Sequence, residues 1–301
     1  MSTTSREATM TSAATTATTV RPTKPKPKFT PARFAQYVMM AVVLFFSVGP
    51  LVWVVINAIR PETEIAAYPP KMLPQQVTGE HFAALFGLYD FGTYLVNSFA
   101  VSIVATTLAL VLGTLAAYAM ARFDLRIIRA MGELSLVAYL IPPILVLVPV
   151  TQILFGSGLG DNRVALAVLY TATLLPFALW ILRPYFSGIA IDIEEAAMID
   201  RCTRFGAFLR VVLPQAVPGL VSTGIFTFNA AWSEYLFAST VMTTTSKLPA
   251  NAAIFLLMGH MGTGSWGLLM AAAVTLVAPV VILFIFAQRW LISGIGEGSV
   301  K

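Results

Sequence analysis

The chain has one cysteine, two histidines and charged side chains at only 11% of its 301 positions. A single cysteine, Cys202, rules out an internal disulfide and any cysteine-built metal site. On a cytoplasmic helix it stays reduced, packing as a small apolar residue. His81 and His260 lack metal-ligand spacing, so no metal site is expected and both are read as solvated. No G-x-x-x-x-G-K-[ST] phosphate cradle, no H-E-x-x-H and no G-x-S-x-G occurs. Paired intramembrane carboxylates are missing too. The sequence therefore offers no catalytic constellation, and no bound cofactor is expected. If the protein moves something uphill, the free energy must come from an ion gradient or from another polypeptide.

What the chain does have is apolar length. Apolar residues make up 57% of it and the mean hydropathy is +0.81, whereas an average protein carries about 25% charged residues. Uncharged windows run over 34–59, 91–121, 134–160, 164–182, 211–233 and 248–288. A bilayer core requires roughly 20 apolar residues per helix. The fold class is therefore an all-α membrane protein with six spans, near 35–58, 94–121, 132–155, 164–186, 218–241 and 266–290. Fifteen Lys and Arg fall in the N-terminal, even-loop and C-terminal segments, against Arg60, Lys71, Arg163 and Lys247 in the others. By the positive-inside rule both termini are cytoplasmic. The net charge of +5 follows from that bias and from anionic lipid, and implies no nucleic-acid partner.

Residues 1–33 form a Thr/Ala-rich, then Pro/Lys-rich basic tail, expected to be disordered. The apolar stretch behind it is too long for a cleavable signal and should stay as an anchor. Residues 34–92 hold the first span and a proline-rich outer loop, 93–290 the other five spans, and 291–301 a cytoplasmic tail. Within 248–265 a short outer helix over 248–259 should give way to a loop at 260–265. In the third predicted span, Pro142, Pro143 and Pro149 free the carbonyls of Ala138, Tyr139 and Leu145. That marks either a packing kink or a pathway. Gly113 and Ala117 form a small-xxx-small pair suited to close helix contact. The fifth span carries Asn229, Trp232, Ser233 and Glu234. Polar groups at that depth either line a pathway or satisfy a structural bond. Trp232 suits stacking on a sugar face or anchoring at the interface.

Between the fourth and fifth spans, a loop over 189–217 holds a charged amphipathic stretch. Asp192 reads as a helix cap, with Glu195 reaching back to the first free amides. Asp192, Glu194 and Glu195 also suit the positive end of the helix dipole. Met198, Cys202, Phe205, Leu209 and Val212 recur at helical spacing, Asp200 can pair with Arg204, and Pro214 and Pro218 end the helix. Such a face either docks in a partner's groove or rests on the inner leaflet.

This segment resembles the cytoplasmic loop of binding-protein-dependent ABC importer permeases, whose pattern is E-A-A-x3-G-x9-I-x-L-P. Here Glu195-Ala196-Ala197 is followed by three residues, Arg201 at the glycine position, nine residues, and Val211-Val212-Leu213-Pro214. Arg60-Pro61-Glu62, Tyr68-Pro69-Pro70, Asn97-Ser98, Trp232-Ser233-Glu234 and the end from Gln288-Arg289 through Gly294 and Gly298 to Val300-Lys301 are similar to the carbohydrate-uptake branch. The likeness is to the six-span subunit of maltose-type importers, where Asn is usual at position 233. The resemblance implies the type I ABC importer permease fold in a bacterial or archaeal cytoplasmic (inner) membrane. The partners it implies are a second, non-identical permease, two ATPase subunits that bind the ATP and Mg, and an extracytoplasmic solute-binding protein. The cargo would be a sugar, polyol or sugar derivative. It assigns ATPase docking to Glu194, Glu195, Ala196, Ala197, Asp200, Arg201, Phe205, Leu213 and Pro214, and a substrate pathway to Asn229, Trp232, Ser233 and Glu234. The alternative is an ion-gradient-driven secondary transporter with Glu234 as its coupling carboxylate.

Overall fold

The computed structural model describes residues 31–69, 71–261 and 265–296, and every regular element among them is helical. Of the tail predicted to be disordered over 1–33, residues 31–33 instead open the first helix, while 1–30, Pro70, the loop at 262–264, the His260 side chain and residues 297–301 lie outside the described residues.

The chain divides into two units at Gly49. In the first, the described residues are the opening part of α1 (Pro31–Ala58), an apolar helix containing Pro50. Phe45 and Phe46 meet edge to face there, 5.7 Å apart.

The second unit begins with the rest of α1, then the short α2 (Glu62–Ile65) and α3 (Glu80–Gly87). Two long helices follow, α4 (Phe91–Arg122) and later α7 (Arg163–Gly188), with α5 (Arg126–Tyr139) and α6 (Pro143–Gly156) between them. After α7 come α8 (Ile191–Ile199) and α9 (Arg204–Ala207), a wide i→i+5 turn over Phe208–Val212, and α10 (Leu213–Gln215). The chain closes with α11 (Val217–Trp232), α12 (Leu236–Val241), α13 (Ala250–Met261) and α14 (Trp266–Gly296). Among the described residues four helices are long and apolar enough to cross a membrane, or up to six if each of two bent pairs counts as one span.

The α4–α7 pair is the centre of this unit, and its sequence explains why. Ala105, Ala109, Gly113 and Ala117 recur every four residues on α4 and are fully or nearly fully buried. A methyl on Gly113 would come within 3.2 Å of the Ala178 Cβ. Lipid tails are as apolar as Leu, so packing in a bilayer depends on such close approach rather than on exclusion of water. The predicted Gly113–Ala117 contact is thus half of a longer stripe. Thr171 of α7 donates its hydroxyl to Ala167 O of its own helix (2.8 Å) and lies 3.4 Å from Ala105 O of α4 across the seam.

Several expectations are corrected. The third predicted span is no straight helix: α5 and α6 meet at 102° across Leu140–Pro142. Pro143 sits in the first turn of α6 and pushes the residue before it out of the helical region. The fifth predicted span stops at Trp232, breaks over 233–235, and resumes as α12. α13 continues to Met261, past the predicted end at 259, and α14 runs to Gly296 rather than 290. The outer loop is also more ordered than a proline-rich linker. Arg60 is buried, donating to Met72 O (3.2 Å) and Asn57 Oδ1 (3.4 Å) with Glu64 close by. His81, expected to be solvated, is 7% exposed, with Nε2 2.8 Å from Arg60 O. The error was to judge a histidine by its segment's polarity, when α3 tucks it against α14. Glu62 completes the corner by accepting from the amides of Trp266 and Gly267, both at 3.0 Å.

Candidate functional site

Position 201 governs the loop between α7 and α11. The expected single helix over 194–213 does not form: α8 ends at Ile199, and Arg201 adopts φ +66°. The Arg201 amide donates to Met198 O and the Cys202 amide to Ala197 O, both at 3.1 Å. This is a left-handed helix cap, whose two bonds satisfy carbonyls that the helix end leaves free. Glycine is the usual residue at that place because it has no Cβ to clash. The E-A-A-x3-G spacing therefore has a physical meaning, and this chain meets it with a strained arginine.

The break changes which residues share a face. Asp192 lies inside α8 and caps nothing; Ala190 stands at the N-cap without a side-chain bond. Asp200 and Arg204 fall on opposite sides of the turn, and Arg204 lies over the Phe123 ring at 5.3 Å instead. Thr203 caps α9 by accepting from Gly206 N at 3.1 Å. Met198 and Cys202 are half-buried, while Phe205 is exposed and Val212 is fully buried, so the predicted apolar stripe is not one surface. Pro214 starts α10 rather than ending a helix. The chain does turn there, by 74° between Arg204–Gln215 and α11.

Of the nine residues assigned to docking, Glu195, Ala196, Asp200, Arg201, Phe205 and Pro214 are exposed, and Ala197 and Leu213 are half-buried. Ile199 (82% exposed) and Phe205 (64%) stand out as large apolar groups in solvent. Ile199 was not anticipated, although a lone exposed isoleucine beside two small alanines was there to be noticed.

Glu194 is the exception. It is 3% exposed, and its carboxylate accepts from Arg122 Nε at 2.7 Å and from the Tyr118 hydroxyl. Arg122 also donates to Phe186 O (3.2 Å) and Ile189 O (3.1 Å). Glu194 is therefore removed from the docking face and belongs to the interior. The sequence marked Arg122 only as one of many inner cations, and Tyr118 not at all.

The polar residues of the fifth predicted span separate in the same way. Trp232 is 3% exposed, donates from Nε1 to Leu276 O (3.1 Å), and lies against Phe99 (4.6 Å) and Phe228 (5.8 Å). Its faces are covered by aromatic rings, so it stacks in the core rather than on a sugar. The Asn251 side chain donates to Trp232 O, the carbonyl left open by the break. Glu234 accepts from the amides of Phe237 (2.8 Å) and Ala238 (3.2 Å), donors at the start of α12 that have no partner within the helix. Ser233 is exposed and Asn229 half-buried.

The loops at the opposite ends of α4 and α7 are tied by side chains. Asn97 donates to Ser246 O (2.9 Å) and Leu248 O (3.0 Å) and accepts from Arg163. Ser98 Oγ accepts from Ala250 N at 2.7 Å. Asp161 holds Lys247 (2.7 Å), the Thr244 hydroxyl (2.6 Å) and the amides of Thr243 and Thr244. Its carboxyl is held well below the usual carboxylate range, foremost by Lys247 and then by Thr244. Among the described residues no group of His, Cys, Asp or Glu could hold a metal ion.

Helices of membrane length joined by an exposed elbow of short helices are the arrangement of a multi-pass membrane protein. Residues 109–297 match the model of the binding-protein-dependent transport system inner membrane component family, and the chain belongs to it. It is similar to the inner membrane ABC transporter permease protein YcjP of Escherichia coli, 33% identical over 91% of this chain and 98% of that protein. Similar too is the diacetylchitobiose uptake system permease protein DasC of Streptomyces coelicolor, 32% identical over 87% and 95%. Its fold matches a chain of a bacterial ABC transporter involved in the import of the acidic polysaccharide alginate. That match has a TM-score of 0.77 and 17% identity, covering 88% of this chain and 100% of that one. The protein is thus a multi-pass permease subunit of an ATP-driven, binding-protein-dependent importer.

Proposed function

We propose that this subunit carries a sugar, polyol or sugar derivative across the inner membrane through six spans, counting α5 with α6 and α11 with α12 as one span each, with both termini cytoplasmic. Its partners are a second, non-identical permease, two ATPase subunits that bind the ATP and Mg, and an outer solute-binding protein. The reading of substrate class is supported by relatives that include the DasC protein and the trehalose transport system permease protein SugB of Mycobacterium tuberculosis, 30% identical over 90% of this chain.

The observation that carries the coupling role is the exposed face of Glu195, Ala196 and Ile199 on a short helix anchored from beneath, with Phe205 exposed on the helix that follows. Ala196 and Ala197 let a groove approach closely, and Ile199 and Phe205 supply apolar area that the chain itself leaves uncovered. A partner drives alternating access only by binding one conformation better than another. In the pathway, Ser233 and Asn229 are the groups left to meet cargo, while Trp232 and Glu234 hold the α11–α12 break in shape. An ion-driven carrier built on Glu234 fits less well, because both carboxylate oxygens are engaged by α12 amides.

The test is replacement of Ala196 or Ala197 by Trp in the assembled complex. The expected result is loss of ATPase copurification, or of uptake at unchanged ATP turnover. Normal uptake by both variants would sink the docking assignment. Uptake by the lone chain in proteoliposomes under an ion gradient would establish the alternative.

A further inference from the structure

The pair buried beneath the docking face has a geometry that ordinary anchoring does not require. α8 is nine residues long and exposed over most of its surface, and a helix that short is marginal by itself. Its one buried polar side chain, Glu194, meets Arg122 at the last residue of α4 with side-chain exposures of 4% and 5%. The same guanidinium takes Phe186 O and Ile189 O at the end of α7. Those carbonyls belong to a helix terminus whose last oxygens have no partner within the helix, and a planar five-donor fork can serve them and a carboxylate together. Tyr118, one turn back on α4, donates to the other carboxylate oxygen and is walled by Phe186 and Phe208. Four polar contacts thus converge on one arginine–carboxylate pair joining three helices. At its other end α8 closes in the backbone cap at Arg201, and it packs against α9 and the 208–212 turn.

We infer that Arg122 and Glu194 are positioning residues that lock the start of α8 to the ends of α4 and α7, so that displacement of the docking face reaches those two helices directly rather than through the 200–216 connection. Since α4 and α7 share the small-residue seam, a pull on the end of either is felt by both. The inference rests on the docking reading of α8 and states where the motion goes next.

The experiment uses the complete importer reconstituted with its ATPase and binding protein, comparing the unmodified complex with Glu194→Gln and Arg122→Lys. Glutamine keeps the shape without the charge; lysine keeps the charge without the fork. Both variants should copurify the ATPase and hydrolyse ATP, with substrate moved per ATP falling by about tenfold, within the usual span of coupling factors. A merely structural role would change yield and melting temperature but not that ratio. An unmodified ratio in both assembled variants would overturn the inference while leaving docking intact. If either variant does not assemble, Tyr118→Phe decides, since it deletes one hydrogen bond and leaves the charges paired. A lowered ratio then supports the link, and the unmodified ratio refutes it. An unmodified complex without any ATPase would overturn both readings.

Discussion

Replacing Arg201 by glycine should make the docking loop more stable, although it removes a long charged side chain. Arg201 sits at φ +66° on an exposed turn, with no side-chain partner among the described residues whose loss would offset the gain. An L-residue in the left-handed region costs about 1–2 kcal/mol relative to glycine. Glycine in turn loses roughly 0.4–1 kcal/mol more backbone entropy on folding. The difference leaves a net gain of roughly 0.5–1 kcal/mol, or about two- to fivefold in the closed state of the turn. Hydrogen exchange at the Cys202 amide, whose bond to Ala197 O closes the cap, reads this directly. Arg201→Gly should slow exchange by that factor. Arg201→Val should speed it, because a β-branched residue tolerates that region worst. If glycine speeds exchange, or if valine and glycine behave alike, the cap has been misread and the meaning assigned to the glycine in the family pattern falls with it.

Two further outcomes follow from the ties at the starts of α4 and α7. Asn97→Ala leaves the Ser246 and Leu248 carbonyls and the Arg163 guanidinium without their partner, at about 1–3 kcal/mol. The solubilised protein should melt at lower temperature and be cut more readily near 246–248; an unchanged melting point would refute this tie. Asp161 has its carboxyl lowered in the folded state, so its contribution is complete above the unfolded value of about 3.9 and fades as pH falls through the lower folded value. Protease resistance of the 241–249 segment should therefore be flat from pH 8 to about pH 5 and be lost only in stronger acid. Asp161→Asn should lower it at every pH in that range, and a loss near pH 6 in the unmodified protein would contradict the assignment.

Much of the architecture was legible because bilayer thickness and side-chain spacing are local constraints. Apolar length announced α1, α4, α7 and α14, and the small-residue spacing at Gly113–Ala117 announced the central seam. The loop's signature was legible as well, since Glu195-Ala196-Ala197 and Leu213-Pro214 stand at fixed spacing. What escaped was whatever depends on partners distant in sequence. Glu194 and Glu195 are neighbours with the same chemistry, yet one faces solvent and the other meets an arginine 72 positions earlier. Periodicity also misled where the backbone leaves the helix, because counting 198, 202, 205, 209 and 212 assumes one uninterrupted spiral. His81 and Trp232 failed for a related reason: their local sequence is compatible with exposure, and α14, arriving from far along the chain, helps to bury both.

The wide turn at Phe208–Val212 has its own bearing on how this loop tolerates change. Such a turn accommodates one residue beyond an α-helical count, and each residue advances a helix by about 100°. Phe208 and Val212 are both buried in it, so its side chains can be exchanged for others of like size. Its length is another matter. Deleting a single position would swing everything downstream around its axis and aim Leu213 and Pro214 at a different neighbour, a frameshift in space rather than in code.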